Sequence, residues 1–168
     1  MSDGARIRES VREFFSREGI AVESISDPRT EFIFKVKFMR FFFTIVRPND
    51  QHHIRIESQV LISPQHLRAL TGESMKRFQI EAMKFSFTQP VLLGFVQPTP
   101  GAPGPQPPGP GFVVSQRIYD DAFSHDRLWN SIRTVHNVID MVIHILNEVT
   151  GQFPGKSTEE DSGLAYYT

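Results

Sequence analysis

The run Glu31-Phe-Ile-Phe-Lys-Val-Lys-Phe38 alternates without a break. Phe32, Phe34, Val36 and Phe38 fall on one side of an extended chain; Glu31, Ile33, Lys35 and Lys37 fall on the other. Successive side chains of a strand point to opposite faces, so a hydrophobic period of two marks a strand with one dry and one wet face. The pattern recurs. Phe41, Phe43 and Ile45 share a face in the next segment. In His53–Ile62, Ile54, Ile56, Val60 and Ile62 oppose Arg55, Glu57 and Gln59. Three such segments predict an antiparallel sheet with its core on one side. Arg47-Pro-Asn-Asp-Gln51 is good turn chemistry, whereas Met39-Arg40 is poor, which leaves open a hairpin or one long bent strand there.

Helical periods flank these strands. Ile7, Val11 and Phe14 follow four-three spacing in a helix from about Asp3 to Glu18, with Glu13 and Arg17 paired on the wet side and Gly19 as its stop. Ser63-Pro64 is an N-cap followed by proline at the first helical position. Gly72 interrupts that helix, and a second stretch runs from about Glu73 towards Phe87, with Pro90 at the exit. "VLLGFV" and "GFVVSQRIYDD" then read as two further buried strands. In the last helix Leu128, Ile132, Val135, Ile139, Val142, Leu146 and Val149 alternate steps of four and three behind Ser124 as cap, with Phe123 and Leu128 as a staple. Gly151 and Pro154 close it.

The expected fold is therefore α+β: a twisted antiparallel sheet of about five strands with three main helices. Its order is helix, three strands, helix, two strands, long helix. Residues 1–150 read as one domain and 151–168, which has no apolar period, as a disordered tail. Between the last two strands lies Pro98-Thr-Pro-Gly-Ala-Pro-Gly-Pro-Gln-Pro-Pro-Gly-Pro-Gly111. It is not collagen-like, because Pro107 stands where the third glycine of the period is obligatory. P-x-x-P spacing occurs in it by virtue of its composition, and the segment reads as an expanded hairpin loop.

Composition narrows the function. The 168 residues carry a formal charge of −1, so no strong field draws nucleic acid or anionic lipid. Cysteine is absent, which removes disulfides, thiolate metal sites and thiol catalysis and fits a cytoplasmic protein. No apolar run approaches the roughly 20 residues of a membrane helix, and the polar start "MSDGARIRES" does not resemble a secretory signal. Phenylalanine dominates the aromatics, 15 against 3 Tyr and 1 Trp, which means sheet core or an apolar contact surface.

Few residues carry chemistry. His136, Asp140 and His144 lie at i, i+4 and i+8 on one helical face and are the one metal-ligand pattern, although the same spacing suits the polar edge of a half-buried helix. Ser124-His125-Asp126 spells a triad but is contiguous, and neighbours on a helix point apart, so it reads as a cap. His52-His53 reads as a solvated turn and His66 as a first-turn helix residue. Lys35, Lys37, Arg40, Arg47 and Arg55 gather around the first three strands with aromatics between, a pattern that single-stranded nucleic acid can use. Glu31 and Glu57 intervene, however, and a charged outer sheet face is the better account. No phosphate-binding loop, dinucleotide fingerprint or H-E-x-x-H motif is present.

The element order over Asp3 to Val149 resembles the type III secretion chaperone-like fold. The segments "ISPQHLRAL" (Ile62 to Leu70) and "VVSQRIYDDAFSHDRLWNSIRTVHNVIDMVIHILNEV" (Val113 to Val149) resemble an uncharacterised prokaryotic family, mainly archaeal. The resemblance implies a small cytoplasmic, homodimeric protein that binds extended segments of partner proteins without catalysis. The proline-rich insert and the near-neutral charge depart from it. The expectation is a protein- or peptide-binding module with no catalytic, cofactor or metal residue, no nucleic acid and no membrane partner. Ile33, Phe42 and Val46, opposite the main apolar stripe, are its expected apolar surface. The alternative is a metal-dependent enzyme or metal-binding protein using His136, Asp140 and His144.

Overall fold

Alternation does produce strands, and in the computed structural model they form an open antiparallel sheet of six, one more than expected. The structure describes residues 3–98, 109–152 and 166–167. Helix α1 spans Asp3–Arg17 and strands β1 to β4 span Val22–Ile25, Thr30–Phe38, Phe41–Pro48 and His53–Ile62. Helices α2 (Pro64–Ala69) and α3 (Gly72–Ser86) precede β5 (Leu92–Val96) and β6 (Gly111–Tyr119). Helix α4 covers His125–Thr150, and Tyr166–Tyr167 form a short strand, β7. The sheet order is β1-β2-β3-β4-β6-β5, with β7 beside β4. Most of the insert, residues 99–108, and most of the tail, residues 153–165 and 168, lie outside the described residues.

The chain divides into two compact units. The first comprises Met1–Ser58 with Ser115–His136, the second Gln59–Val114 with Asn137–Thr168.

In the first unit the period of two sets the register. Ser24, Phe34 and Ile45 face Ile56 in one inward row, and Val22, Val36 and Phe43 form another. Phe34, Val36, Phe43, Ile45 and Ile56 are buried, as the alternation requires. Helix α1 contributes Ile7, Val11, Phe14 and Phe15. Phe14 meets Trp129 of α4 at a centroid distance of 5.9 Å, and Trp129 meets Phe38 of β2 at 5.1 Å. The extra strand is β1, whose sequence, Val-Glu-Ser-Ile, buries none of its residues and therefore shows no apolar period. The β2–β3 link is a hairpin: Phe38 pairs with Phe41, and Met39 takes the left-handed φ of 53°. A methionine there pays for its Cβ in steric strain, which is why the two-residue turn does not look like one in sequence.

In the second unit the caps behave as read. Ser63 Oγ accepts from the His66 backbone N–H, and Pro64 opens α2. Thr71 then caps α3 with a reciprocal Thr71–Ser74 box, so the break is built by Thr71 with Gly72 as the first helical residue. Val138, Ile139, Val142, Ile143 and Leu146 of α4 are buried. Gly151, at φ 67°, ends α4 in the left-handed conformation that glycine adopts without cost. Gly111 opens β6 where two backbones nearly touch: a Cβ there would lie 2.3 Å from the Val60 carbonyl oxygen.

Candidate protein-contact surface

An end strand has a neighbour on one side only. Among the described residues the sheet ends at β1 and β5, and in β5 none of Leu92, Leu93, Gly94, Phe95 and Val96 is buried. "VLLGFV" was expected to be a buried strand; its place at the end of the sheet order leaves it uncovered. Phe95 packs its edge on Phe78 of α3 at 5.6 Å, which anchors the strand. Leu92 is 59% exposed and Phe87, just past α3, is 80% exposed. Ile80 of α3 is exposed as well. Natural edge strands are usually guarded by lysine, proline or a bulge, and the side chains of this one are all apolar.

The residues named for an apolar surface in the first unit behave differently. Val46 is buried, and Ile33 and Phe42 are half-buried. The Phe42 ring is covered by the Lys35 and Lys37 ammonium groups at 4.7 and 5.7 Å. That expectation is corrected for Val46, which is buried, and for Phe42, whose ring the two lysines cover; among the described residues the barest large apolar groups of the second unit are Phe87 and Leu92.

The basic cluster is also split. Arg47 shares the inward register of Phe43 and Ile45 and is 3% exposed. Its guanidinium donates to both carboxylate oxygens of Asp120, at 2.8 Å from Nη2 to Oδ2, with Nη1 to Oδ1 as the second contact. Nε lies 3.2 Å from Glu31 Oε2. These hydrogen bonds from Arg47 hold the Asp120 carboxyl below the usual carboxylate range against the opposing effect of burial. Asp120 belongs to the short 3-10 turn after β6, so the ion pair fastens that turn to β3. The position of Arg47 two residues beyond Ile45 was the signal in sequence: an arginine on the dry face needs a carboxylate.

The histidines do not assemble a site. His52 is exposed, whereas His53 is buried beside Tyr119 with centroids 5.8 Å apart, so only half of that pair is a solvated turn. Burial first, then the charges of Arg117 and Arg55, push the His53 pKa down. His125 caps nothing chemically active: Ser124 Oγ accepts from the Arg127 N–H, and His125 Nε2 reaches the Ser10 carbonyl at 3.1 Å. His136 is 9% exposed and sits against the rings of Phe38 and Phe41 at 5.7 and 5.4 Å. Asp140 is half-buried, and His144 is exposed and reaches Glu148 at 3.3 Å. Among the described residues no group of three or more His, Cys, Asp or Glu is placed to hold a metal ion.

One buried polar chain was missed. Ser63 Oγ lies 2.7 Å from His66 Nδ1, and His66 Nε2 lies 2.9 Å from Asn147 Oδ1. The asparagine oxygen only accepts, so Nε2 carries the proton and Nδ1 accepts from the Ser63 hydroxyl. The order Ser–His–Asn mimics a nucleophilic triad, but all three residues are buried. Its work is to tie α2 to α4. A separate hollow of about 430 Å³ between α3 and α4 is lined by Arg77, Glu81, Lys84, Phe85, Ile145 and Glu148. Glu81 is already paired with Lys84 at 3.0 Å, and the lining residues include no serine, threonine or histidine. No helix among the described residues is long and apolar enough to cross a membrane.

Together these features define an α+β protein with an open antiparallel sheet that ends in a bare apolar strand. The chain belongs to a family of uncharacterised conserved proteins, DUF2299, whose model matches residues 7–146. No curated protein matches the sequence. A crystal structure of an uncharacterised protein from Methanothermobacter thermautotrophicus is similar, with 22% identity, a TM-score of 0.70, and 84% of this chain and 96% of that one covered. The ExsC–ExsE complex is similar at 12% identity and TM-score 0.60, covering 87% and 97%. YbjN from E. coli, described as a putative transcription regulator, follows at 11% identity and TM-score 0.53, covering 86% and 92%. At these identities the likeness is one of fold.

Proposed function

We propose that this protein is a non-catalytic module that binds another protein or peptide segment, and that it acts as a homodimer. The observation that carries the proposal is β5, an end strand among the described residues, with apolar side chains, no buried residue and an exposed Leu92; Phe87, just past α3, is exposed as well. A second copy related by a two-fold axis presents the same edge in return, so pairing supplies backbone partners and covers apolar surface on both copies. The ExsC–ExsE structure, by its name a complex of two proteins, supports partner binding as a use of this fold.

Light scattering across a concentration series tests it. The expected result is a dimer that Leu92→Lys combined with Phe87→Ser converts to a monomer of unchanged circular dichroism, since both side chains are mostly exposed. A monomer at the highest concentrations rejects the dimer. Stoichiometric zinc, iron or manganese that disappears in His136→Ala would replace the binding reading with a metal-dependent one.

A further inference from the structure

Of the basic residues left after Arg47 turns inward, Lys35, Lys37 and Arg55 share one face of the first unit, whereas the Arg40 guanidinium lies over the Phe41 ring at 5.0 Å. Cross-strand registers define that face. Ile25, Ile33, Val46 and Arg55 form one row across β1 to β4, and Glu23, Lys35, Thr44 and Glu57 form the next. Lys37 and Phe42 form a third. His53 lies two residues before Arg55 and packs on Tyr119, which places Tyr119, and Arg117 two residues before it, on the same face. The register shifts between Thr30 and Phe32 and Glu31 pairs with Arg47, so the face carries Lys35, Lys37, Arg55 and Arg117 against Glu23 and Glu57, an excess of two positive charges. Arg55 Nε and Glu57 Oε2 are 2.7 Å apart, so the excess is concentrated in the lysines and Arg117.

We infer that this face receives an acidic, apolar, extended segment of a partner protein. The inference rests on the binding-module reading and adds the chemistry of the partner. From Ile25 to Arg55 the row crosses three strand spacings, about 14 Å, which about five extended residues span. A segment in which carboxylate and aliphatic side chains take turns at every second residue, so that both fall on one face of the extended chain, would place carboxylates against Lys35, Lys37 and Arg117 and its apolar side chains on Ile25 and Ile33. Nucleic acid fits less well. Its bases stack on aromatic faces, yet the Phe42 ring is already occupied by two ammonium groups and the central row is aliphatic. An excess of two charges is also small for tracking a phosphate backbone.

Fluorescence anisotropy on the full chain tests the inference with three labelled probes. These are an extended peptide of about ten residues in which Glu and Val take turns at every second position with Ser between them, so that both fall on one face, the same peptide with Lys for Glu, and an oligothymidine of similar length. The Glu peptide is expected to bind, the Lys peptide not to bind, and Lys35→Glu with Lys37→Glu to weaken binding about tenfold or more. Arg117→Glu, on a different strand, is expected to weaken it independently, which guards against a local folding defect in β2. Light scattering of the same variants is expected to show the oligomeric state of the wild type, because the substitutions lie outside β5. Three outcomes overturn the inference: equal binding of the Lys peptide, indifference to the charge reversals, or oligothymidine binding that the reversals abolish. If no probe binds while the dimer persists, the acidic-segment inference fails alone; a monomeric wild type instead sinks the dimer.

Discussion

Asp120→Asn isolates the ion pair that fastens the turn after β6. The change keeps size and shape, and the asparagine oxygen can still accept one hydrogen bond. What is lost is the negative charge facing a guanidinium that is 3% exposed. Breaking a buried pair by removing one partner costs about 3–5 kcal/mol, because the remaining charge is left buried. Two features reduce that here: the Asp120 side chain is 14% exposed, and Glu31 remains 3.2 Å from Arg47 Nε. The expected loss is therefore about 2–3 kcal/mol. For a chain of this size that corresponds to a fall in Tm of about 4–12 °C. Urea unfolding monitored by circular dichroism measures it, and a double-mutant cycle with Arg47→Met should return a coupling of about 2 kcal/mol. The pH dependence provides a second reading. Asp120 has a folded pKa below its unfolded value, so its contribution is present above about pH 4 and disappears as pH falls through the folded value. The wild type should lose stability over that acid range more steeply than Asp120→Asn. A variant within about 0.5 kcal/mol of wild type, or a cycle with no coupling, would refute the claim that this pair holds the turn.

Gly111→Ala should cost about 1–3 kcal/mol in urea unfolding, because the new Cβ meets the Val60 carbonyl and the Leu61 Cα rather than a movable side chain. Replacing residues 99–108 by Asn-Gly while retaining Pro110 and Gly111 should leave Tm nearly unchanged, whereas deletion through Gly111 should lower it, since the Pro110 carbonyl accepts from Ile62 N–H. Asn147→Ala removes the acceptor of His66 Nε2 in a buried site, and a loss of about 1–3 kcal/mol is expected by thermal melting. Met39→Asn should raise stability by about 0.5–1 kcal/mol, because asparagine tolerates the φ of 53° and Met39 is exposed.

What could be read from the residues depended on whether a periodic solvent boundary ran along the element. Phe32 to Phe38, Ile54 to Ile62 and the four-three stripe of α4 cross such a boundary at every step, so their faces followed from the order of residues alone. Strand β1 lacks an apolar period because its position at the sheet's end buries none of it, and β5 looked like core because it is wholly apolar although it too lies at an end. For both, local sequence describes the side chains, but the missing neighbour is a fact of topology. The same division explains the polar groups. Ser63 capped as expected because its partner is three residues away. The partner of His66 is 81 residues away and that of Arg47 is 73, separations that no local pattern encodes. Arg47 nevertheless betrayed itself by register, since an arginine in step with Phe43 and Ile45 must find an anion or turn aside. Asp120 and Asp121 follow Arg117-Ile-Tyr at the end of β6, the same stretch whose likeness to the family was legible. A charge on the dry face of one strand, together with a carboxylate at the end of another, is therefore the signal of the pair in the sequence. The surface of β5 offers no such shortcut: only the strand order shows that among the described residues it has one neighbour, and it is that free edge, more than any reactive side chain, on which the proposal of a partner rests.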